Sequence, residues 1–313
     1  MAFRFLDFPS ARDDLLADVL VGLAACPKSI PPKYFYDEAG CRLFDAICEQ
    51  PEYALTRTER ALMVSLLPAI AAAIGKVDCI IEPGAGDCGK VRALLDALHP
   101  DQLVVIDIAG SALAAAAEPL ADDHPGIEVT ALGMDFIRDL EAAAAYLSPG
   151  RRLVYYPGSS IGNFSPDEAV VLLARFRHLA GKDGQLLIGF DLKKDPQQLH
   201  RAYNDAAGVT AAFNLNLLQR INRELGADFD LARFRHYAFY NPVAGRIEMH
   251  LVSLAGQSVN VANQGFHFEP GETLHTEYSY KYHRDEFNAI AGQAGWRRAD
   301  EWVQDGFAVQ LFG

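Results

Sequence analysis

The chain has 313 residues, half of them hydrophobic, and a formal net charge of −13. That length suits one large domain or two modest ones with a sizeable core. No apolar run reaches membrane-span length, and an acidic chain without a local basic patch repels a phosphate backbone. A small-molecule partner is therefore expected, with no membrane and no nucleic acid.

The opening stretch, MAFRFLDFPSARDD, turns acidic too soon for a secretory signal. The five cysteines (Cys26, Cys41, Cys48, Cys79, Cys88) are odd in number and form no C-x-x-C pair, which points to free thiols in a reducing cytoplasm. Residues 11–25 carry apolar side chains at helical spacing. A Pro-rich turn, PKSIPPK, and an aromatic run, Tyr34-Phe35-Tyr36, come next. Thr56 and Glu59 are spaced as a capping box for a helix through RALMVSLLPAIAAAI.

An α/β rhythm follows: strand VDCIIEP, helix KVRALLDAL, strand QLVVIDIA, helix SALAAAAEPLA, strand GIEVTALGMDF, short helix IRDLEAAAAYL and strand RRLVYYPG. Ser165-Pro166-Asp167-Glu168 predicts a helix start, since Ser caps, Pro suits the first position and Glu168 reaches back. That helix ends near Gly181, and QLLIGFDL is the next strand. Such alternation predicts βαβ units and a mostly parallel sheet. After about residue 195 two helical stretches, DPQQLHRAYNDAAG and TAAFNLNLLQRINREL, lead into a strand-rich region, 235–283. There RIEMHLVSL, QSVNVAN and LHTEYSYKYH predict antiparallel strands. HRDEFNAIAGQAGW returns to helix and GFAVQLF closes as a strand. The change inside a doubly wound pattern predicts an inserted second domain.

The loop IEPGAGDCGKV, 81–91, fits three patterns. A P-loop needs Ser or Thr where Val91 stands, so a triphosphate is disfavoured. Gly84-x-Gly86-x-x-Gly89 matches a dinucleotide fingerprint, and Asp107 ends the next strand where a ribose-binding acid belongs. Glu82 before the first glycine would repel a pyrophosphate but favour a sulfonium and an ammonium, which points to S-adenosylmethionine. Asp135 would suit an adenine amino group. A turn needed only for close packing stays open.

YYPGSSIGNFSP, 155–166, falls at the carboxyl end of the fourth strand of this rhythm. Asn163 there is able to hold a carboxylate or an amine, or with Ser159 and Ser160 to satisfy a turn. HTEYSYKYH, 275–283, alternates strictly, with Glu277, Ser279 and Lys281 on one face and Tyr278, Tyr280 and Tyr282 on the other. Either the polar face meets water or Glu277 and Ser279 line a polar pocket. His267, Glu269, Glu272 and His275 fit no metal-ligand spacing, so no metal is expected. Tyr34, Tyr36 and Tyr53 are core residues or a lid over a cofactor.

Together, PKSIPPKYFYD, PEYALTRTE, EPGAGDCGK, GSSIGN, IGFDLKKD, RAYNDAAGVTAAFNLNLLQRINRELGADFD, RIEM and TEYSYK resemble the L-histidine Nα-methyltransferases of ergothioneine biosynthesis, nearly end to end. The resemblance implies a Rossmann-like class I methyltransferase domain, mostly parallel with an antiparallel last strand, and a second α+β domain. Residues 56–194 and 284–313 would bind S-adenosylmethionine; 1–55 and 195–283 would bind substrate, held between the two. For the cofactor it implies Tyr53, Gly84, Lys90, Asp107, Asp135 and Phe136, beside Glu82 and Gly86 of the same loop. For the substrate it implies Asn163 and Tyr203 at the amino-acid backbone, Glu277 and Ser279 at the imidazole, and Met249 in the side-chain pocket. Tyr36 and Tyr53 would act at the amine and ring. The implied reaction gives the trimethylated betaine hercynine; the alternatives are N-methylation of another aromatic amino acid such as tryptophan, or cofactor binding without catalysis. A cytoplasmic monomer is expected. The chain departs from the family where GAGDCGKV replaces a GSGTSEKT-like loop, where Pro157 precedes GSSIGN, and where Tyr278 and Tyr280 replace smaller residues.

Overall fold

The structure, a computed structural model, describes residues 3–8 and 11–313. Residues 1, 2, 9 and 10, part of the expected segment 1–55, lie outside the described residues, as do the side chains of residues 11–13. In chain order the strands are β1 (Phe3–Asp7), β2 (Lys28–Ser29), β3 (Cys79–Pro83), β4 (Gln102–Asp107), β5 (Glu128–Gly133), β6 (Arg152–Tyr156) and β7 (Gln185–Asp191). They continue as β8 (Phe234–Asn241), β9 (Arg246–Ser253), β10 (Gln257–Val261), β11 (Gln264–Phe268), β12 (Thr273–Tyr280), β13 (Arg298–Gln304) and β14 (Phe307–Phe312). Two compact units form. One holds β1 with Leu55–Lys193 and Lys281–Gly313; the other holds Ala11–Ala54 and Lys194–Tyr280.

The first unit is a doubly wound α/β sheet of eight strands, ordered β1-β5-β4-β3-β6-β7-β14-β13. All pairings from β1 to β7 are parallel, while β14 runs antiparallel to β7 and to β13. This is the expected Rossmann-like class I arrangement with an antiparallel last strand. Strands β3, β7 and β14 are buried at every position, which is why they read as largely apolar runs, broken only by Glu82, by Gln185 and Asp191, and by Gln310. The strand order reverses between β3 and β6, so the carboxyl ends of β3, β4, β5 and β6 flank a topological switch point, where such sheets bind ligands.

Several expectations are corrected here. Strand β1, Phe3–Asp7, pairs parallel with β5 in the large sheet, although it falls in the segment 1–55 expected to bind substrate. The helix expected to start at a Thr56–Glu59 box begins earlier, at Leu55, and Glu59 is turned inward, 2% exposed. By contrast, Ser165 and Glu168 make the predicted box. IRDLEAAAAYL is not one helix but a single α turn, Phe136–Asp139, and a 3₁₀ segment, Leu140–Tyr146.

The second unit contains a four-stranded sheet, β2-β12-β9-β8, and a hairpin, β10-β11. Helix Val209–Leu225 packs on β8, β9 and on helix Glu38–Cys48. The expected alternation holds from Glu277 to Tyr280, but a bulge interrupts β12 just before it, between His275 and Glu277. His275 pairs with His250 and Glu277 pairs with Met249, so Thr276 is the extra residue. A bulge of one residue exchanges the faces of everything beyond it. Glu277 and Ser279 thereby lie on the buried face, 8% and 5% exposed, and their polar face does not meet water. His275 instead stacks with Tyr278, ring centroids 3.9 Å apart.

Candidate active site

In the first unit, the loop after β3 is a tight turn. Gly84 and Gly86 take φ of 69° and 54°, a region L side chains avoid, and nothing stands within 4 Å of where a Cβ of Gly86 would be. The Gly84 and Ala85 N–H groups donate to the Ile106 carbonyl at 2.7 and 3.1 Å. Asp107, at the end of β4, accepts from Gly86 N–H at 3.0 Å and Ala109 N–H at 2.9 Å, so the acid shapes the loop as well as facing it. Asp135 caps the next turn by accepting Ile137 N–H at 2.9 Å, and the Phe136 ring comes within 3.5 Å of the Cβ position of Gly84.

Glu82 is 1% exposed, and its Oε2 has no hydrogen-bond partner among the described residues. A buried carboxylate oxygen without a donor is costly unless a ligand supplies one. This orphaned acceptor, beside an open backbone turn, fits a group bearing an ammonium and a sulfonium. The expected S-adenosylmethionine therefore suits the residues present.

Lys90 has a partner that no local pattern foretells. Its Nζ lies 2.9 Å from Glu59 Oε2, while Glu59 Oε1 accepts the Gly158 N–H at 2.7 Å. The pair thus ties the β3 loop to the loop after β6. That second loop is held again by Ser159, whose hydroxyl accepts Asp191 N–H at 3.0 Å, and by Ser160, which donates to the Pro157 carbonyl at 3.2 Å. The two serines satisfy the turn; Asn163 ends its 3₁₀ segment, Ser160–Asn163, half-buried. Lys281 is fully buried, with its Nζ 3.3 Å from Asp191.

In the second unit, Tyr203 donates to Ser279 Oγ at 2.8 Å, and its ring meets that of Tyr53 edge-on at 6.1 Å. Met249 lies directly across from Glu277 and is 1% exposed. Burial pushes the Tyr53 hydroxyl well above its ordinary value, with Tyr203, Cys48, Glu277 and Tyr36 adding to the rise. Those groups therefore share one electrostatic neighbourhood, and Tyr53 stays protonated at neutral pH. Tyr36 packs against Phe44 and Phe213, each at 5.8 Å. Tyr34 is core, with its hydroxyl on Asp18 at 2.6 Å. Tyr278 and Tyr280 engage Arg246 on the opposite face of the sheet.

The residues that invite a metal reading are dispersed: Glu272 binds Lys28, His267 lies 3.3 Å from Glu269, and His275 stacks on Tyr278. Among the described residues no group of three or more His, Cys, Asp or Glu is placed to hold a metal ion. No helix of the described residues is long and apolar enough to cross a membrane.

Residues 15–312 match the family model described as histidine-specific methyltransferase, SAM-dependent. The chain is 41% identical over 306 residues to a histidine N-alpha-methyltransferase from Mycolicibacterium smegmatis, covering 96% of this chain and 94% of that one. It is 39% identical to a histidine N-alpha-methyltransferase from Mycobacterium tuberculosis, covering 93% and 91%. Similarity also extends to ergothioneine biosynthesis protein 1 of Neurospora crassa, 28% identical over 88% of this chain and 32% of that protein.

Proposed function

This chain belongs to the histidine-specific, S-adenosylmethionine-dependent methyltransferases, and we propose that it methylates the α-amino nitrogen of L-histidine three times, giving hercynine. The observation that carries the reading is the buried acceptor pair on β12. Glu277 and Ser279 are both less than a tenth exposed, on the strand face that carries Met249. A buried carboxylate accepts an imidazole N–H, and a phenylalanine side chain has none to give. The similarity to two mycobacterial histidine N-alpha-methyltransferases supports the same choice.

In this reading the first unit binds the cofactor and carries Asn163, and the second carries the other residues that recognise the amino acid. Glu82 holds the positive methionine end, Gly84 and Gly86 let backbone approach it, Asp107 takes the ribose, and Asp135 with Phe136 holds the adenine. Lys90 acts on the cofactor through the loop it pins. Asn163 and Tyr203 hold the amino-acid backbone, while Met249 closes the side-chain pocket. When bound, S-adenosylmethionine supplies an electrophilic methyl group.

The α-amine must be neutral to attack, and its ordinary pKa near 8 or above means that a proton has to leave first. Tyr53 cannot take that proton as a phenolate, because burial keeps it protonated. Its hydroxyl and that of Tyr36 orient the amine, and water carries the proton away. As methyl groups accumulate, N–H donors vanish and a cation grows, which aromatic faces tolerate through cation–π attraction. Most of the rate then comes from positioning and water exclusion.

Incubating the protein with histidine and S-adenosylmethionine should yield the trimethylated product by mass spectrometry. Turnover of tryptophan with none of histidine would overturn the substrate assignment. Accumulation of the monomethyl form alone would overturn the third transfer.

A further inference from the structure

We infer that Asn214, through His236 and Thr276, is the positioning centre that sets Tyr203, Glu277 and Ser279 in place; the inference rests on the assignment of those three residues to substrate. Asn214 projects from helix Val209–Leu225 and is fully buried. Its Nδ2 donates to the His250 carbonyl at 3.0 Å and to His236 Nδ1 at 2.9 Å, and its Oδ1 accepts from the Thr276 hydroxyl at 2.8 Å. The orientation of the amide follows from chemistry, because a backbone carbonyl only accepts.

One arm runs to Tyr203. His236 Nδ1 faces an N–H donor, so it must be the acceptor. Its Nε2 then carries the hydrogen and donates to the Tyr203 carbonyl at 2.9 Å. Both ends of the ring demand the same neutral tautomer. Tyr203 in turn donates through its hydroxyl to Ser279.

The other arm runs to the bulge. Thr276 is its extra residue, and the hydroxyl also lies 3.1 Å from the Met249 carbonyl. Holding Thr276 inward is what lets the next residue, Glu277, pair with Met249 on the buried face. A leucine at position 214 would fill the space, but it would specify neither the tautomer nor the bulge. A fully satisfied buried polar network fixes one arrangement among several that packing alone would allow.

The test compares variants that differ by one hydrogen-bonding group. T276V keeps the shape of threonine and removes the hydroxyl, whereas T276S keeps the hydroxyl. T276V should raise KM for histidine about tenfold, with T276S within about threefold of the parent and binding of S-adenosylhomocysteine changed less than about twofold in both. Equal behaviour of T276V and T276S, or an equal loss of affinity for histidine and S-adenosylhomocysteine, would overturn the proposal. Should T276V not fold, H236F against H236Q asks the same question, since Gln retains a donor toward Tyr203. H236F should lose histidine affinity selectively, and parity of that pair also overturns the proposal. The parent protein is assayed first. If it uses another amino acid and not histidine, the substrate reading fails, and the same comparisons on that amino acid still decide the network.

Discussion

Glu82 combines a formal charge with an environment that resists it. Burial pushes its carboxyl well above the ordinary value of 4.5; Lys90 opposes the rise, while Asp87, Glu59 and Asp107 reinforce it. Above pH 4.5 the folded protein retains a proton that the unfolded chain has released. Its contribution to stability is therefore full below that pH and is lost as pH rises through the raised value. A bound cation favours the ionised form, so cofactor binding should release a proton. Calorimetry in buffers of different ionisation enthalpy should detect that release in the parent and not in E82Q. The same variant should bind S-adenosylhomocysteine about tenfold more weakly or worse. Unchanged affinity would remove Glu82 from the site. At Glu277 the effect should be one-sided: E277A raises KM for histidine by about two orders of magnitude and leaves KM for S-adenosylmethionine nearly unchanged. Equal losses would contradict its role.

At the scale of single elements, the loops after β3 and β6 are pinned by the Lys90–Glu59–Gly158 chain. E59Q keeps an acceptor for the Gly158 N–H but leaves Lys90 without its counter-charge. Denaturant unfolding should show a loss of about 2 kcal/mol, accompanied by weaker cofactor binding. Full stability in E59Q would mean that the ion pair is incidental. Elements whose cause is local are legible in the sequence. Ser165 and Glu168 lie three residues apart and form the box their spacing predicts, and β3 to β7 show their burial as apolar runs. Elements whose cause is distant are not. Glu59 has the local spacing of a cap, yet its backbone partner is 99 residues away. Thr276, the extra residue of the β12 bulge, donates its hydroxyl to Asn214, 62 residues earlier, a partner that period-two counting cannot find. Strand β13, RADEWVQ, is a charged and largely exposed sheet edge, a pattern that sequence periodicity assigns to no core face.

For the molecule as a whole, the charge of −13 bears on encounter with a cationic cofactor. A negative field attracts a sulfonium-bearing ligand over several ångströms, and salt screens it with a Debye length near 8 Å at physiological strength. The KM for S-adenosylmethionine should rise as salt goes from about 10 mM to about 300 mM, more than the KM for zwitterionic histidine does. Equal salt dependence would make the net charge irrelevant to cofactor capture. The order of strands has a different consequence, one of timing. Strand β14 lies between β7 and β13, every one of its six residues buried, yet it follows both in the chain. During translation β13 emerges before the strand that joins it to the sheet. The sheet stays open at that place until β14 leaves the ribosome, and a nascent chain stalled at residue 306 would expose the edge of β7 to any strand nearby.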